Sequence, residues 1–232
     1  MLGTIVNCAA IIAGGLIGTL FGNRIGERYT KMLMTVMALI TAVIGLQSAL
    51  GTANMLIVVV CMVLGTVIGI ALKLDDRLNN SGDKIKAKLS GTKLGQGRFS
   101  DAFVTSTLVF AIGAMAILGS IQAGLNHDYS ILFTKSIMDF TSAIAFAAAL
   151  GPGVLLSALP ILIVQGSITL LAGVAEPFLT SEVVTEMSAA GGVILFGMAL
   201  NLLDVCKERI KVGNMIPAIL LSIIYFPLAH LF

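Results

Sequence analysis

From Met32 to Leu72 the chain runs without one charged side chain. Apolar runs recur along its whole length. A stretch of about 20 apolar residues is long enough for a helix to cross the roughly 30 Å hydrocarbon core of a bilayer. In hydrocarbon every backbone N–H and C=O must be satisfied within the protein, which leaves helices or a closed barrel. A barrel shows short alternating segments, not continuous runs. Of 232 residues, 57% are apolar and 11% charged, with a mean hydropathy of +1.03. That balance excludes a water-soluble globular fold and intrinsic disorder alike. The expected fold class is all-α, a polytopic helical membrane bundle.

Eight apolar segments are expected to span: about 3–22, 32–50, 55–72, 103–125, 136–150, 153–173, 187–203 and 214–231. The first lacks a basic region before it and a small-residue cleavage site after it, so it reads as a retained helix and not a signal peptide. The basic residues fix an orientation. Arg24, Arg28 and Lys31 follow segment 1, Lys73 to Arg98 follow segment 3, and Lys207, Arg209 and Lys211 follow segment 7. Of the 14 basic residues, all but Lys135 then fall on one side. By the positive-inside rule that side is cytoplasmic and both termini face outward. The organisation expected is one membrane domain: residues 1–73 carry segments 1–3, 74–101 form a basic cytoplasmic linker, and 102–232 carry segments 4–8. The piece GTKLGQGR at 91–98 is glycine-rich but lacks the Gly-Lys-Ser/Thr ending of a phosphate loop, and it reads as a flexible connection.

Segments 1–3 and 6–8 look related. GTIVNCAAIIAGG at 3–15 sits over GVLLSALPILIVQ at 153–165, and AVIGLQSAL at 42–50 over FGMALNLL at 196–203, pairing Gln47 with Asn201. Asn54-Met55 and Asn214-Met215 open the last segment of each triplet. In the eight-segment topology the triplets are inverted, an architecture common in secondary transporters. Duplication without a transport role is the other reading.

Gly14, Gly18 and Gly22 share one helix face, as do Gly65 and Gly69. Small residues at this spacing let helix backbones approach closely in lipid. They mark packing within the chain or, alternatively, a homodimer face. Gly151-Pro152-Gly153 separates two apolar segments with no charged loop, which reads as a tight hairpin or as a break within the membrane.

Ionisable groups within a span invite a functional reading. Asp139 stands four residues after Lys135, so both project from one helix face. A carboxylate here could take a proton or cation or orient Lys135 toward an anion. It could also form an interfacial ion pair about one turn inside its helix, favoured by the N-terminal dipole. Asn7, Gln47, Gln122, Gln165 and Asn201 are uncharged but costly in hydrocarbon, and each is a candidate for a polar cavity or for interhelical hydrogen bonding. Asn54 and Asn214 fit helix N-caps. Cys8, Cys61 and Cys206 are too scattered for a disulfide framework or metal site. His127 and His230 lack partners at metal-ligand spacing, and no serine has a neighbouring base. Enzymatic chemistry, a cofactor and nucleic-acid binding are therefore not expected.

LGTIVNCAAIIAGGLIG, FVTSTLVFAIGAMAILGSIQAGL, KSIMDF, LGPGVLLSA and VGNMIPAILL together resemble, from end to end, the bacterial membrane family known as domain of unknown function 554, the YdfK/YqgA-like proteins. The resemblance implies a multi-pass protein of the bacterial cytoplasmic (inner) membrane and brings no established activity. Its motif-bearing positions here are Asn7, Gly119, Gln122, Lys135, Asp139 and Asn214. Pro152 departs from the less helix-breaking residue expected in the family's turn. The functional expectation is a small secondary transporter or permease-like protein for an ion or small solute. Its site would draw on Asp139, Lys135, Gln47, Asn201, Asn7, Gln122 and Gln165. A non-transporting scaffold or regulatory subunit using the basic linker, and an oligomeric channel, are the alternatives.

Overall fold

The computed structural model describes residues 1–22, 26–78, 80 and 99–229. No strand occurs among the described residues, and every expected segment is built of helix. α1 spans Leu2–Gly22, α2 Glu27–Leu50, α3 Met55–Ala71, α4 Phe99–Ala111, α5 Ala114–Leu125 and α6 Ser130–Leu150. A 3₁₀ turn at Pro152–Ser157 leads into α7 Ala158–Leu170, followed by the short α8 Ala172–Ala175 and by α9 Ser181–Leu203. A second 3₁₀ turn, Val212–Met215, leads into α10 Pro217–Ala229. Among these, five helices are long and apolar enough to cross a membrane, and the bent pair α4–α5 makes a sixth span if it counts as one. Large apolar side chains such as Leu39, Val43, Leu56, Val63 and Val67 are exposed along α2 and α3, as an all-α polytopic membrane bundle requires.

Several boundaries differ from the sequence reading. Segment 103–125 is not one straight helix: α4 and α5 meet at a 59° bend. Gly113 sits at the break with φ +139°, a conformation that side-chain-bearing residues rarely adopt. α6 starts at Ser130, six residues before the expected 136. The Ser130 hydroxyl and backbone N–H donate to Asp128 Oδ1 at 2.6 and 2.9 Å, organising the entry to the helix. The same two bonds hold the Asp128 carboxyl below the usual carboxylate range. α9 likewise begins early, where the Thr180 hydroxyl accepts from Val183 N at 3.4 Å. Asn54 caps α3 as expected, accepting from Leu56 N. Asn214 does not cap α10; it lies inside the second 3₁₀ turn, and its Oδ1 accepts from Asp75 N at 2.9 Å. Asp75 in turn accepts from Gly213 N at 2.9 Å, so this residue of the expected linker is buried and packed. The GTKLGQGR stretch lies outside the described residues.

The chain divides into two compact units. The first comprises Met1–Met37, Asn79–Ala111 and Met115–Gly173. Its centre is α1 against α6. A Cβ on Gly14 would strike the Phe140 carbonyl, one on Gly18 the Ile144 carbonyl, and one on Gly22 the Ala148 carbonyl at 2.8 Å. The contacts advance in step along both helices, so α1 and α6 run parallel with their backbones touching. The Gly151-Pro152-Gly153 hairpin closes α6 onto the 3₁₀ turn. Gly151 takes φ +103°, Pro152 and Gly153 are buried, and a Cβ on Gly153 would strike the Phe99 carbonyl of α4. Phe110 of α4 meets Phe146 of α6 edge to face at 6.2 Å.

The second unit comprises Ala38–Leu78, Ile112–Ala114 and Val174–Phe232. Here α3 packs on α10: Gly65 meets Ala218 and Gly69 meets the Asn214 carbonyl, a register that makes the pair antiparallel. Gly45 of α2 and Gly192 of α9 lie against each other's backbones. α9 is buried over most of its length. Segments 1–3 and 6–8 do not form one unit each, because α1 and α7 share the first unit while α3, α9 and α10 share the second.

Candidate functional site

Asp139 is the tenth residue of the 21-residue α6, near the middle of the helix and not one turn inside it. The earlier helix start accounts for the difference, and it takes the carboxylate away from the N-terminal dipole, which acts within about the first turn. The ion pair with Lys135 is present and buried. Nζ lies 2.7 Å from Oδ2 and 2.9 Å from Oδ1, and both side chains are 8% exposed.

Two further expected residues join this pair. Asn7 of α1 donates from Nδ2 to Asp139 Oδ2 at 3.0 Å and to Gln165 Oε1 of α7 at 3.3 Å. Asn7 and Gln165 are both fully buried. Four side chains from three helices thus form one network: Lys135 and Asp139 from α6, Asn7 from α1, Gln165 from α7. An ionised carboxylate only accepts, which fixes the Asn7 amide with its NH₂ toward Asp139. That NH₂ fixes the Gln165 carbonyl in turn. The remaining atoms, Asn7 Oδ1 and Gln165 Nε2, are buried without a partner. So are the hydroxyls of Thr4, one turn from Asn7 on α1, and Thr169, one turn from Gln165 on α7. Buried polar atoms are nearly always satisfied by protein, water or ligand, so the two orphaned amide atoms inside this network, with two orphaned hydroxyls one turn away along α1 and α7, make it the candidate site for a polar ligand.

The other expected site residues lie elsewhere. Asn201 on α9 uses both ends of its amide on one backbone position, accepting from Ile210 N and donating to Ile210 O, each at 2.8 Å, and so pins the loop after α9. Asp204 ends α9 in a left-handed cap with φ +56°. Gln47 is exposed on α2, and Gln122 is half-buried on α5. Among the described residues no three His, Cys, Asp or Glu side chains come together as a metal-ion set. A concavity of about 280 Å³ opens between Thr19, Thr30, Met34 and the Ala147–Pro152 stretch; none of the expected binding residues lines it.

Sequence reasoning missed one carboxylate. Glu186, one residue before the expected span 187–203, lies inside α9 and is 1% exposed. It accepts from the Thr52 hydroxyl at 2.6 Å and from Ala53 N at 2.9 Å, tying the α2–α3 turn to α9. The signal was available in principle: Glu186 falls at helical spacing with Val183 and Ala190, on the apolar face.

The chain is 30% identical over 236 residues to the uncharacterized membrane protein YdfK of Bacillus subtilis, covering 100% of this chain and 98% of that protein. It is 29% identical over 224 residues to the uncharacterized protein YqgA of Escherichia coli, covering 96% and 94% respectively. No solved structure matches. The family model described as a protein of unknown function, DUF554, matches residues 2–227, and the chain belongs to that family.

Proposed function

We propose that this protein is a small secondary transporter or permease-like protein for an ion or small solute. Its binding site is the Lys135–Asp139–Asn7–Gln165 network. The observation that carries this reading is the buried ion pair bridged to two other helices by amides that each keep one unsatisfied polar atom. Charge and orphaned hydrogen-bonding groups within spanning helices are costly, and a polar ligand that satisfies them offsets that cost.

The protein sits in the bacterial inner membrane with eight crossings and both termini outside. The basic residues support the orientation, and two helix registers support the count of crossings. α1 runs parallel to α6, which requires an odd number of crossings between them; α2, α3 and the bent α4–α5 pair supply three. α3 runs antiparallel to α10, as the same count requires.

The test is solute flux into proteoliposomes by the wild-type protein and Asp139→Asn. The expected result is loss of at least tenfold in the variant. Equal flux through both would remove Asp139 from the mechanism.

A further inference from the structure

We propose that this site takes a small uncharged solute carrying both hydrogen-bond donors and acceptors, of the amide, urea or polyol kind, and not an ion. The inference rests on the transport reading above and names its substrate class.

The charges within the network cancel. One ammonium faces both oxygens of one carboxylate, at 2.9 and 2.7 Å. A ligand of net charge would bring an uncompensated charge into a buried setting, where burial penalises it heavily. The unused valences point the same way. Asn7 Oδ1 offers an acceptor, Gln165 Nε2 offers N–H donors, and the Thr4 and Thr169 hydroxyls serve as either. A carboxylate ligand would satisfy the donors and set its oxygens against Asn7 Oδ1. A metal cation or ammonium would satisfy the acceptors and face the N–H groups of Gln165. A molecule with a carbonyl beside an N–H, or with vicinal hydroxyls, supplies both the donor that Asn7 Oδ1 lacks and the acceptor that Gln165 Nε2 lacks. The ligand is small, because Asn7 Oδ1 and Gln165 Nε2 belong to amides already in contact at 3.3 Å. Leu132 and Ile161, each one turn from a member of the network, are fully buried beside it.

The experiment follows osmotic swelling of proteoliposomes by stopped-flow light scattering. The probes are acetamide, urea and glycerol against potassium chloride, sodium acetate and glycine. The uncharged probes are expected to enter at least tenfold faster than into protein-free liposomes, with no acceleration of the charged or zwitterionic ones. Thr4→Val and Thr169→Val keep the side-chain shape and remove only the orphan hydroxyls. Each is expected to slow acetamide entry roughly threefold or more. Acceleration of a charged probe alone, lost in Asp139→Asn, would overturn the substrate class and leave the transport reading standing. Unchanged acetamide entry in both threonine variants would also overturn the assignment.

A second measurement separates binding from transport. Acetamide is expected to raise the melting temperature of the detergent-solubilised protein by more than it does that of either threonine variant. If no probe enters faster but that difference persists, the site's ligand class stands and the transport reading falls. If neither is seen, both fall.

Discussion

Asn7 of α1 and Asp139 of α6 stand 132 positions apart in the sequence and are joined by a 3.0 Å hydrogen bond. The bond exists because α1 and α6 run parallel with their backbones touching through Gly14, Gly18 and Gly22. Glycine packing thus brings the amide of one helix to the carboxylate of another. The function proposed here depends on that arrangement, and its parts can be tested one at a time.

The Lys135–Asp139 pair behaves as a unit. Asp139→Asn leaves the buried ammonium without its counter-ion, at an expected cost of about 3 kcal/mol. Lys135→Met leaves the carboxylate uncompensated at a similar cost. The double variant Lys135→Met/Asp139→Leu removes both charges and is expected to regain most of that loss. Thermal unfolding of the detergent-solubilised variants measures this directly, and strictly additive losses would contradict it.

The glycine seam tolerates no side chain. Gly18→Ala places a methyl against the Ile144 carbonyl and 2.9 Å from the Ala147 Cβ. Separating the helices is expected to cost about 1–3 kcal/mol. Gly173 within α8 has nothing within 4 Å of its Cβ position. Gly173→Ala is therefore expected to change stability by less than about 1 kcal/mol, in the stabilising direction. Comparable destabilisation by both substitutions in a melting experiment would refute the seam.

Glu186 acts through its acceptors and not through its charge. In Glu186→Gln the amide oxygen can still accept from Ala53 N, and its NH₂ can donate to the Thr52 hydroxyl, so little stability should be lost. Glu186→Leu removes the acceptor of the half-buried Thr52 hydroxyl and of the exposed Ala53 N–H, at an expected cost of about 1 kcal/mol. Hydrogen exchange at Ala53 should accelerate in the leucine variant and not in the glutamine one. Equal acceleration in both would assign the role to the charge.

Much of this was legible in the sequence. Each apolar run became helix, because chain in hydrocarbon has no other way to satisfy its backbone. The glycine faces were legible because a spacing of four returns to one side of a helix. The Lys135–Asp139 pair was legible for the same reason. Helix starts were harder to read. α6 and α9 extend into polar sequence because Asp128 and Thr180 satisfy N–H groups at their entries, and hydropathy does not register a cap.

The sequence by itself determined that this is a helical membrane protein, which faces of its helices pack closely, and that Lys135 and Asp139 share one helix face. Periodicity and transfer free energy are local properties, and local sequence carries them. Only the tertiary structure decided that Asn7 and Gln165 join that pair while Gln47, Gln122 and Asn201 do not. It also put Asn214 to work holding Asp75 instead of capping its own helix. Which side chains meet depends on helix register and crossing, and those are set by packing between segments that the chain order keeps far apart.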